Sequence, residues 1–190
     1  MGDAIADLKN ATTLPEGDVV RLLLEQHERI RRLFEELRGS IGTARADLFA
    51  ELRAGLTVHE TAEQLVVRPA SKELAGEGVA EARLEEEQET TGLLADLDRM
   101  AVTDPEFHQR LVTFEEVVER HLAAEEREEL PPLLAGSTPE ERQRMGRMLT
   151  ATERLAPTRP HPTTTGNAVA TVVTAPVASV IDRARDAMDH

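Results

Sequence analysis

The chain has 190 residues, which is enough for one domain of ordinary size and a tail. It carries 36 Asp and Glu against 22 Lys and Arg, and this net charge of −14 argues against a nucleic-acid partner and against binding to an anionic membrane. It has no cysteine and no tyrosine, so disulfides, thiolate metal sites and phenolate ligands are excluded.

The first predicted helix starts at Thr13 and Pro15 and ends at Gly39 and Gly42. Its apolar residues recur at helical spacing: Val20, Leu23, Leu24, Ile30, Phe34 and Leu37. His27 lies on the same stripe, three residues from an apolar residue on either side. We therefore expect its imidazole to point into the core.

The second predicted helix covers about residues 45–74. Its inner side carries apolar residues, then a histidine and a glutamate, then an apolar residue again: Leu48, Leu52, Leu56, His59, Glu63 and Val66. Since His59 and Glu63 are four residues apart, they share one face of the helix. Pro69 is expected to kink or shorten this helix.

The third predicted helix covers about residues 79–100 and has an acidic run at its centre. Counting back seven residues from Leu94 places Glu87 on the inner stripe, whereas counting back from Leu93 places Glu86 there. One of the two glutamates is expected to face the core, and periodicity does not choose between them.

The fourth predicted helix opens with Asp104 as N-cap and Pro105 as its first residue. Its inner stripe again leads to a histidine and a glutamate four residues apart: Leu111, Phe114, Val117, Val118, His121 and Glu125. The pair Pro131 and Pro132 ends or bends it. A short helix at about residues 139–155 follows and is expected to cover one side of the other helices.

Four long helices with short connections predict an all-α fold, an antiparallel up-down-up-down four-helix bundle with the extra short helix after it. The expected domain covers residues 1–156, and residues 157–190 form a flexible, partly disordered tail with a short amphipathic helix at 177–188. The N-terminus lacks the features of a signal peptide, and the weakly polar run at 168–181 is too short to span a bilayer. We expect a cytoplasmic protein, as a monomer or weak dimer.

Each long helix therefore carries an inward polar side chain at mid-length. Buried without a partner, each such group would cost several kcal/mol, so a core that contains all of them requires a cation. Imidazoles and carboxylates without sulfur suit iron or manganese, with zinc or copper allowed by affinity. Two divalent ions nearly balance the charge of three glutamates, which favours a dinuclear site over a single ion.

The chain resembles the hemerythrin-like (HHE cation-binding) domains over about residues 16–135. The resemblance rests on three segments: Glu25-Gln26-His27, His59-x3-Glu63 running to Pro69, and His121-x3-Glu125 running to Pro131. It implies a four-helix bundle around two non-heme iron ions, Fe2+ or Fe3+, bridged by an oxo or hydroxo group, with manganese and zinc less favoured. The metal ligands that it implies are His27, His59, Glu63, His121 and Glu125, and we expect Glu87 to be the sixth ligand, from the third helix.

The third helix departs from the family, which usually has a histidine where this chain has Glu87, with Glu86 as the open alternative. A carboxylate in place of an imidazole favours ferric iron, so reversible oxygen carriage is not expected. Glu60 and Glu126 are expected to be solvated or to hydrogen-bond a ligand histidine.

The resemblance implies a protein that binds or reacts with O2, hydrogen peroxide or NO-derived species in the response to oxidative or nitrosative stress. Catalase-like peroxide decomposition is the simplest reaction if the protein is an enzyme, and the sequence identifies no catalytic residue. Two alternatives stay open: a redox or oxygen sensor or regulator that acts through the C-terminal tail, and an iron store.

Overall fold

The computed structural model describes residues 13–156 and residue 158. Within them the secondary structure is helical with no strand, which confirms the predicted all-α class. The α-helices are α1 Val19–Gly39, α2 Gly42–Ala62, α3 Arg68–Leu74, α4 Glu77–Asp98, α5 Pro105–Ala124, α6 Leu130–Gly136 and α7 Pro139–Glu153. Two π-helical turns connect them: the first π turn, Glu63–Val67, joins α2 to α3, and the second π turn, Glu125–Glu129, joins α5 to α6.

The predicted tail, including the amphipathic helix at 177–188, lies outside the described residues, so the sensor alternative that depends on it stays a prediction. Among the helices that are described, none is long and apolar enough to cross a membrane.

Side-chain caps set where α1 and α5 begin. Asp104 caps α5 by accepting from the backbone N–H of Glu106, as predicted. The predicted start of the first helix at Thr13 is wrong, because Asp18 accepts from the N–H of Val20 and α1 begins only at Val19.

The apolar core forms two clusters. The larger contains all four phenylalanines of the chain: Ile30, Leu33, Phe34, Leu37, Phe49, Leu52, Leu56, Leu94, Leu97, Phe107, Leu111, Phe114, Val118 and Leu122. The smaller consists of Val19, Val20, Leu23, Ala62, Val66, Val67, Leu130, Leu133 and Leu149. On α1, His27 falls between Leu23 of the smaller cluster and Ile30 of the larger one. The polar residues of the site thus occupy a layer between two apolar regions.

The two π turns explain how the chain passes its prolines. Pro69 and Pro131 follow the first residue of α3 and α6, and a proline provides no N–H to an α-helical ladder. The N–H of Arg68 instead bonds the carbonyl of Glu63, and that of Leu130 bonds the carbonyl of Glu125, five residues back in both cases. The helices therefore do not end at these prolines, because each π turn leads into further α-helix, to Leu74 after Pro69 and to Gly136 after Pro131.

Helix α7 lies against α1 and α2 and is fixed there by a buried ion pair. Arg142 Nε donates to Asp18 Oδ2 at 2.8 Å, so the residue that caps α1 also binds α7. The same guanidinium donates through Nη1 to the carbonyls of Leu134 and Ser137. One arginine therefore ties the start of α1, the end of α6 and α7 together.

The contact between α7 and the start of α1 leaves no room for a side chain at Gly146. A Cβ at this position would overlap the carbonyl oxygen of Gly17. We expect Gly146→Ala to lower the free energy of unfolding by about 1 to 3 kcal/mol, measured by urea denaturation. The matched control is Gly92→Ala in α4, where a Cβ meets no atom within 4 Å and alanine favours the helix. If both variants are as stable as the wild type, the close approach of α7 is not formed.

Candidate metal centre

The structure brings the six predicted site residues together, and each is at most 2% exposed. Their candidate ligand atoms form two overlapping groups, within each of which all atoms lie within 4.8 Å of one another. One group consists of His27, His59, Glu63 and Glu125, and the other of Glu63, Glu87, His121 and Glu125. Because Glu63 and Glu125 belong to both groups, their carboxylates are placed where they could bridge two ions.

The structure also distinguishes the two glutamates between which periodicity could not choose. Glu87 is fully buried and belongs to the second group. The side chain of Glu86 is 23% exposed, and its Oε2 accepts a hydrogen bond from Nδ1 of His121 at 3.0 Å. Glu87 is thus one of the candidate ligands, and Glu86 binds the nitrogen of His121 that faces away from the site.

All three histidines have the same orientation. Each Nδ1 contacts an oxygen outside the two groups: His27 with Glu126 at 2.9 Å, His59 with Gln26 at 2.8 Å, and His121 with Glu86 at 3.0 Å. A histidine that donates from Nδ1 keeps a lone pair on Nε2, and a partner of this kind is typical of metal-bound histidines. The three Nε2 atoms are therefore the ones available to an ion.

Those inward atoms lack partners of their own. Among the described residues, no hydrogen bond is made by Nε2 of any of the three histidines, by Oε2 of Glu63, or by either carboxylate oxygen of Glu125. Three nitrogen–oxygen pairs between them are each separated by 3.4 Å. Two ligand atoms that bind the same ion, each at about 2.1 Å from it, lie about 3 to 3.5 Å from one another. The donor set therefore fits a divalent cation.

Burial shifts the ionisation of these groups. It lowers the pKa of His59 well below its usual value and, with the positive charge of Arg68, lowers the pKa of His121 to about 3. Both rings are then neutral near pH 7, the form that binds a metal. Burial raises the pKa of Glu63 and Glu125 well above the usual range, and neighbouring carboxylates add to it. A bound cation would favour the ionised carboxylates, so its binding releases protons.

The family comparison agrees with this geometry. The hemerythrin HHE cation-binding domain matches residues 18–133, which contain all six site residues. The chain belongs to the hemerythrin family. Its predicted family resemblance is confirmed, and the cation-binding description of the family is consistent with the unpartnered donor atoms in its core.

One curated protein has a sequence similar to part of this hemerythrin chain. A protein named DNA nickase, from Nostoc sp. (strain PCC 7120), is 27% identical over 127 residues, which are 66% of this chain and 35% of the relative. The chain thus spans about a third of the length of that protein. No solved structure matches the chain.

A largely buried arginine lies beside the site of this hemerythrin chain, with 12% of its side chain exposed. Arg68 donates through Nη2 to Oε1 of Glu87 and through Nη1 to Oε1 of Glu129, the latter at 2.5 Å. The other oxygen of Glu87 accepts from Nε2 of Gln64 at 2.6 Å. Since Glu87 and Glu129 are both at most 1% exposed, Arg68 supplies positive charge to two buried carboxylates.

The sequence analysis did not identify Arg68 or Glu129 as residues of the site. The signal that identifies them is the repeat itself, because each His-x3-Glu segment reaches a proline six residues after its glutamate. Aligned in this way, Arg68 matches Leu130, and Glu129 matches Val67. The ion pair between Arg68 and Glu129 therefore joins two positions at which the other copy has an apolar residue. It holds the two segments side by side.

Two further carboxylates lie close to the site. Glu126 contacts His27 as expected, and hydrogen bonds from His27 and Arg31 hold its pKa at about 2 even though burial opposes ionisation. Glu60 is only 5% exposed, so the expectation that it is solvated is wrong. It accepts from Oγ1 of Thr91 at 2.9 Å, and burial raises its pKa well above the usual value.

A surface groove reaches the site between α1, α2 and the end of α7. It has a volume of about 320 Å³, and its wall includes His59 and the apolar residues Ile30, Leu33 and Val58. Gln26, the partner of His59, also lines it and donates to Glu153 at 2.5 Å. The groove therefore lies against one of the candidate ligands, on the side of its hydrogen-bonding partner.

Proposed function

We propose that this chain is a non-heme di-iron protein that binds or reacts with O2, hydrogen peroxide or NO-derived species. The observation that carries the proposal is the convergence of buried imidazole nitrogens and carboxylate oxygens that have no hydrogen-bond partner among the described residues. Imidazole and carboxylate donors suit iron. The residues that would hold the two ions are His27, His59, Glu63, Glu87, His121 and Glu125.

The proposal includes the finer architecture. The four long helical stretches are taken to run antiparallel around the metal centre, with α7 against one side. The packing of α1 on α2 and of α4 on α5 supports this arrangement. We further propose that the protein is cytoplasmic and a monomer or weak dimer.

Iron in this site would supply a change of oxidation state and a coordination position for a small ligand. The side chains of the protein set which reaction is favoured. Glu87 supplies an anionic oxygen where the family usually has an imidazole, and anionic donors stabilise ferric iron. Reaction with peroxide is thereby favoured over reversible carriage of O2. Small reactants are taken to enter through the groove that lies against His59.

The name of the Nostoc relative does not enter this proposal. The similarity covers only 35% of that protein. The net charge of −14 also opposes binding to a phosphate backbone.

Iron content and peroxide consumption, measured together on wild type and His121→Ala, test the proposal. We expect about two irons per wild-type chain, in keeping with a dinuclear carboxylate site in a helical bundle. His121→Ala should lose more metal affinity than the roughly 10- to 100-fold that loss of a hydrogen-bonding partner of a ligand costs. Peroxide consumption should fall with the iron.

The control is His108→Ala, which alters an exposed histidine of the same helix α5. It should keep both the iron and the peroxide consumption of the wild type. A folded wild-type protein that remains colourless and free of metal after production with ample iron would disprove the proposed function.

A further inference from the structure

The candidate metal centre is built from two copies of one arrangement. Each copy has a pair of adjacent residues on one helix and a His-x3-Glu segment on the next: Gln26-His27 with His59 and Glu63, and Glu86-Glu87 with His121 and Glu125. In both copies the first residue of the pair contacts Nδ1 of the histidine in that copy's His-x3-Glu segment, at 2.8 Å and 3.0 Å. The second residue of the pair points into the site in both.

The two copies differ in the chemistry of that pair. The first copy has an amide and an imidazole, Gln26 and His27, where the second has two carboxylates, Glu86 and Glu87. We call the group His27, His59, Glu63 and Glu125 the imidazole-rich subsite, and the group Glu63, Glu87, His121 and Glu125 the carboxylate-rich subsite. The imidazole-rich subsite has two nitrogen donors and the carboxylate-rich subsite has one.

The arginine contacts the carboxylate-rich subsite directly. Arg68 binds Glu87, which belongs to that subsite alone, and its Nη2 lies 3.7 Å from Oε1 of Glu125, which both subsites share. Both oxygens of Glu87 accept hydrogen bonds, and this weakens their donation to an ion. Among the described residues no hydrogen bond joins His27 to an arginine, and its Nδ1 partner is the anionic Glu126. The carboxylate-rich subsite is therefore the weaker one and the one with the harder donors.

We propose that the two subsites take different metals, iron in the imidazole-rich subsite and manganese in the carboxylate-rich subsite. This inference rests on the proposed dinuclear function. Its physical basis is that imidazole ligands suit iron, whereas carboxylate and water ligands suit manganese and discriminate least against it. The loaded protein is then a mixed iron–manganese protein whenever both ions are supplied.

Competition between the two ions tests this on the full chain. The metal-free protein is incubated without oxygen in an equal excess of Fe2+ and Mn2+, desalted, and analysed for metal content and by electron paramagnetic resonance. We expect about one iron and about one manganese per chain, as two chemically unequal subsites require. Manganese next to iron in one chain should also lose the six-line spectrum of an isolated Mn2+ ion. Retention of two irons without manganese overturns the inference, and so does a mixture of all-iron and all-manganese chains.

Two reciprocal substitutions give the matched controls. Glu87→His makes the carboxylate-rich subsite imidazole-rich, and His27→Glu does the reverse at the equivalent position. We expect the ratio of retained manganese to iron to fall in the first variant and rise in the second. The ratio should change by at least about tenfold in each variant. Substitutions around a bound metal lower its affinity by about 10- to 100-fold, and tenfold is the low end of that range. Circular dichroism identifies folded variants, and an unchanged ratio in either folded variant contradicts the inference.

The outcomes separate this inference from the proposed function. If the wild-type protein binds no metal, the proposed function itself fails. If it binds two irons and excludes manganese, the dinuclear function stands and the subsite assignment is overturned.

Discussion

Removal of the bound ions with a chelator is expected to lower the midpoint temperature of thermal unfolding, Tm, by roughly 8 to 16 °C. A ligand at about a thousand times its dissociation constant stabilises the folded state by about 4 kcal/mol. For a chain of this size each kcal/mol corresponds to about 2 to 4 °C. The physical reason is that the chelated protein keeps carboxylate oxygens of Glu63 and Glu125 buried with neither a hydrogen bond nor a bound cation. Differential scanning calorimetry of loaded and chelated protein measures the difference.

The size of this effect depends on pH in a defined direction. The pKa values of Glu63 and Glu125 are raised by folding, so the stability they contribute in the chelated protein is present below the unfolded value of 4.5 and is lost as pH rises through the folded values. His59 and His121 have lowered pKa values and remove stability as pH falls below 6.5. The chelated protein should therefore be most stable at mildly acidic pH. The loss of Tm on chelation should be larger at about pH 7.5 than at about pH 5.

The double variant Glu63→Gln, Glu125→Gln is the control for this experiment. Its amides do not ionise, so chelator should leave its Tm unchanged, and the alkaline loss of stability should be smaller than in the chelated wild type. If chelator has no effect on the Tm of iron-containing wild-type protein, the bound ions do not stabilise the fold.

Replacement of Arg68 by Met is expected to lower the free energy of unfolding of the chelated protein by about 3 to 5 kcal/mol. The substitution keeps an apolar stem of similar length and removes the cation that pairs with Glu87 and Glu129. The side chain of Arg68 is only 12% exposed, so solvent does not take over its role. Urea denaturation in the presence of chelator measures the loss.

Two further variants identify the cause of that loss. Adding Glu129→Gln to Arg68→Met should restore part of the stability, because one of the two orphaned charges is then removed. Arg120→Met on α5 breaks an exposed pair with Glu89, where the arginine is 58% exposed, and should cost no more than about 1 kcal/mol. If Arg68→Met is as mild as Arg120→Met, Arg68 does not hold buried charges.

The sequence was sufficient to place most of the site because the interruptions of an apolar stripe are visible without a structure. His27 lies three residues from an apolar neighbour on both sides, and His59 and His121 each follow a regular series of apolar residues. None of the three histidines could lie on a solvated face unless the apolar stripe of its helix were exposed to solvent as well. The helical period therefore fixed which side of the helix these residues occupy.

The same period failed at Glu86 and Glu87 because adjacent residues on a helix differ by only about 100°, and a broad apolar face accommodates both. The structure uses both, one inside the site and one behind His121.

Arg68 was missed as a site residue for a different reason. It follows Glu63 by five residues, which in a regular α-helix would turn it about 140° away. The π turn between them, with its bond from the N–H of Arg68 to the carbonyl of Glu63, removes most of that rotation. No apolar pattern indicates such a turn. The proline that follows it was interpreted as a kink instead.

The π turns also allow the side chain beside the site to vary while the backbone is kept. An α-helical turn bonds residues four apart and a π turn bonds residues five apart, so deletion of one residue from 64–67 would leave Arg68 four residues after Glu63. In a regular α-helix that spacing is a turn of about 40°, so Arg68 would stay on the side that carries Glu63. The second half has the same turn with Leu130 at the position of Arg68. The charge beside the site is therefore a matter of one side chain and does not depend on the path of the helix.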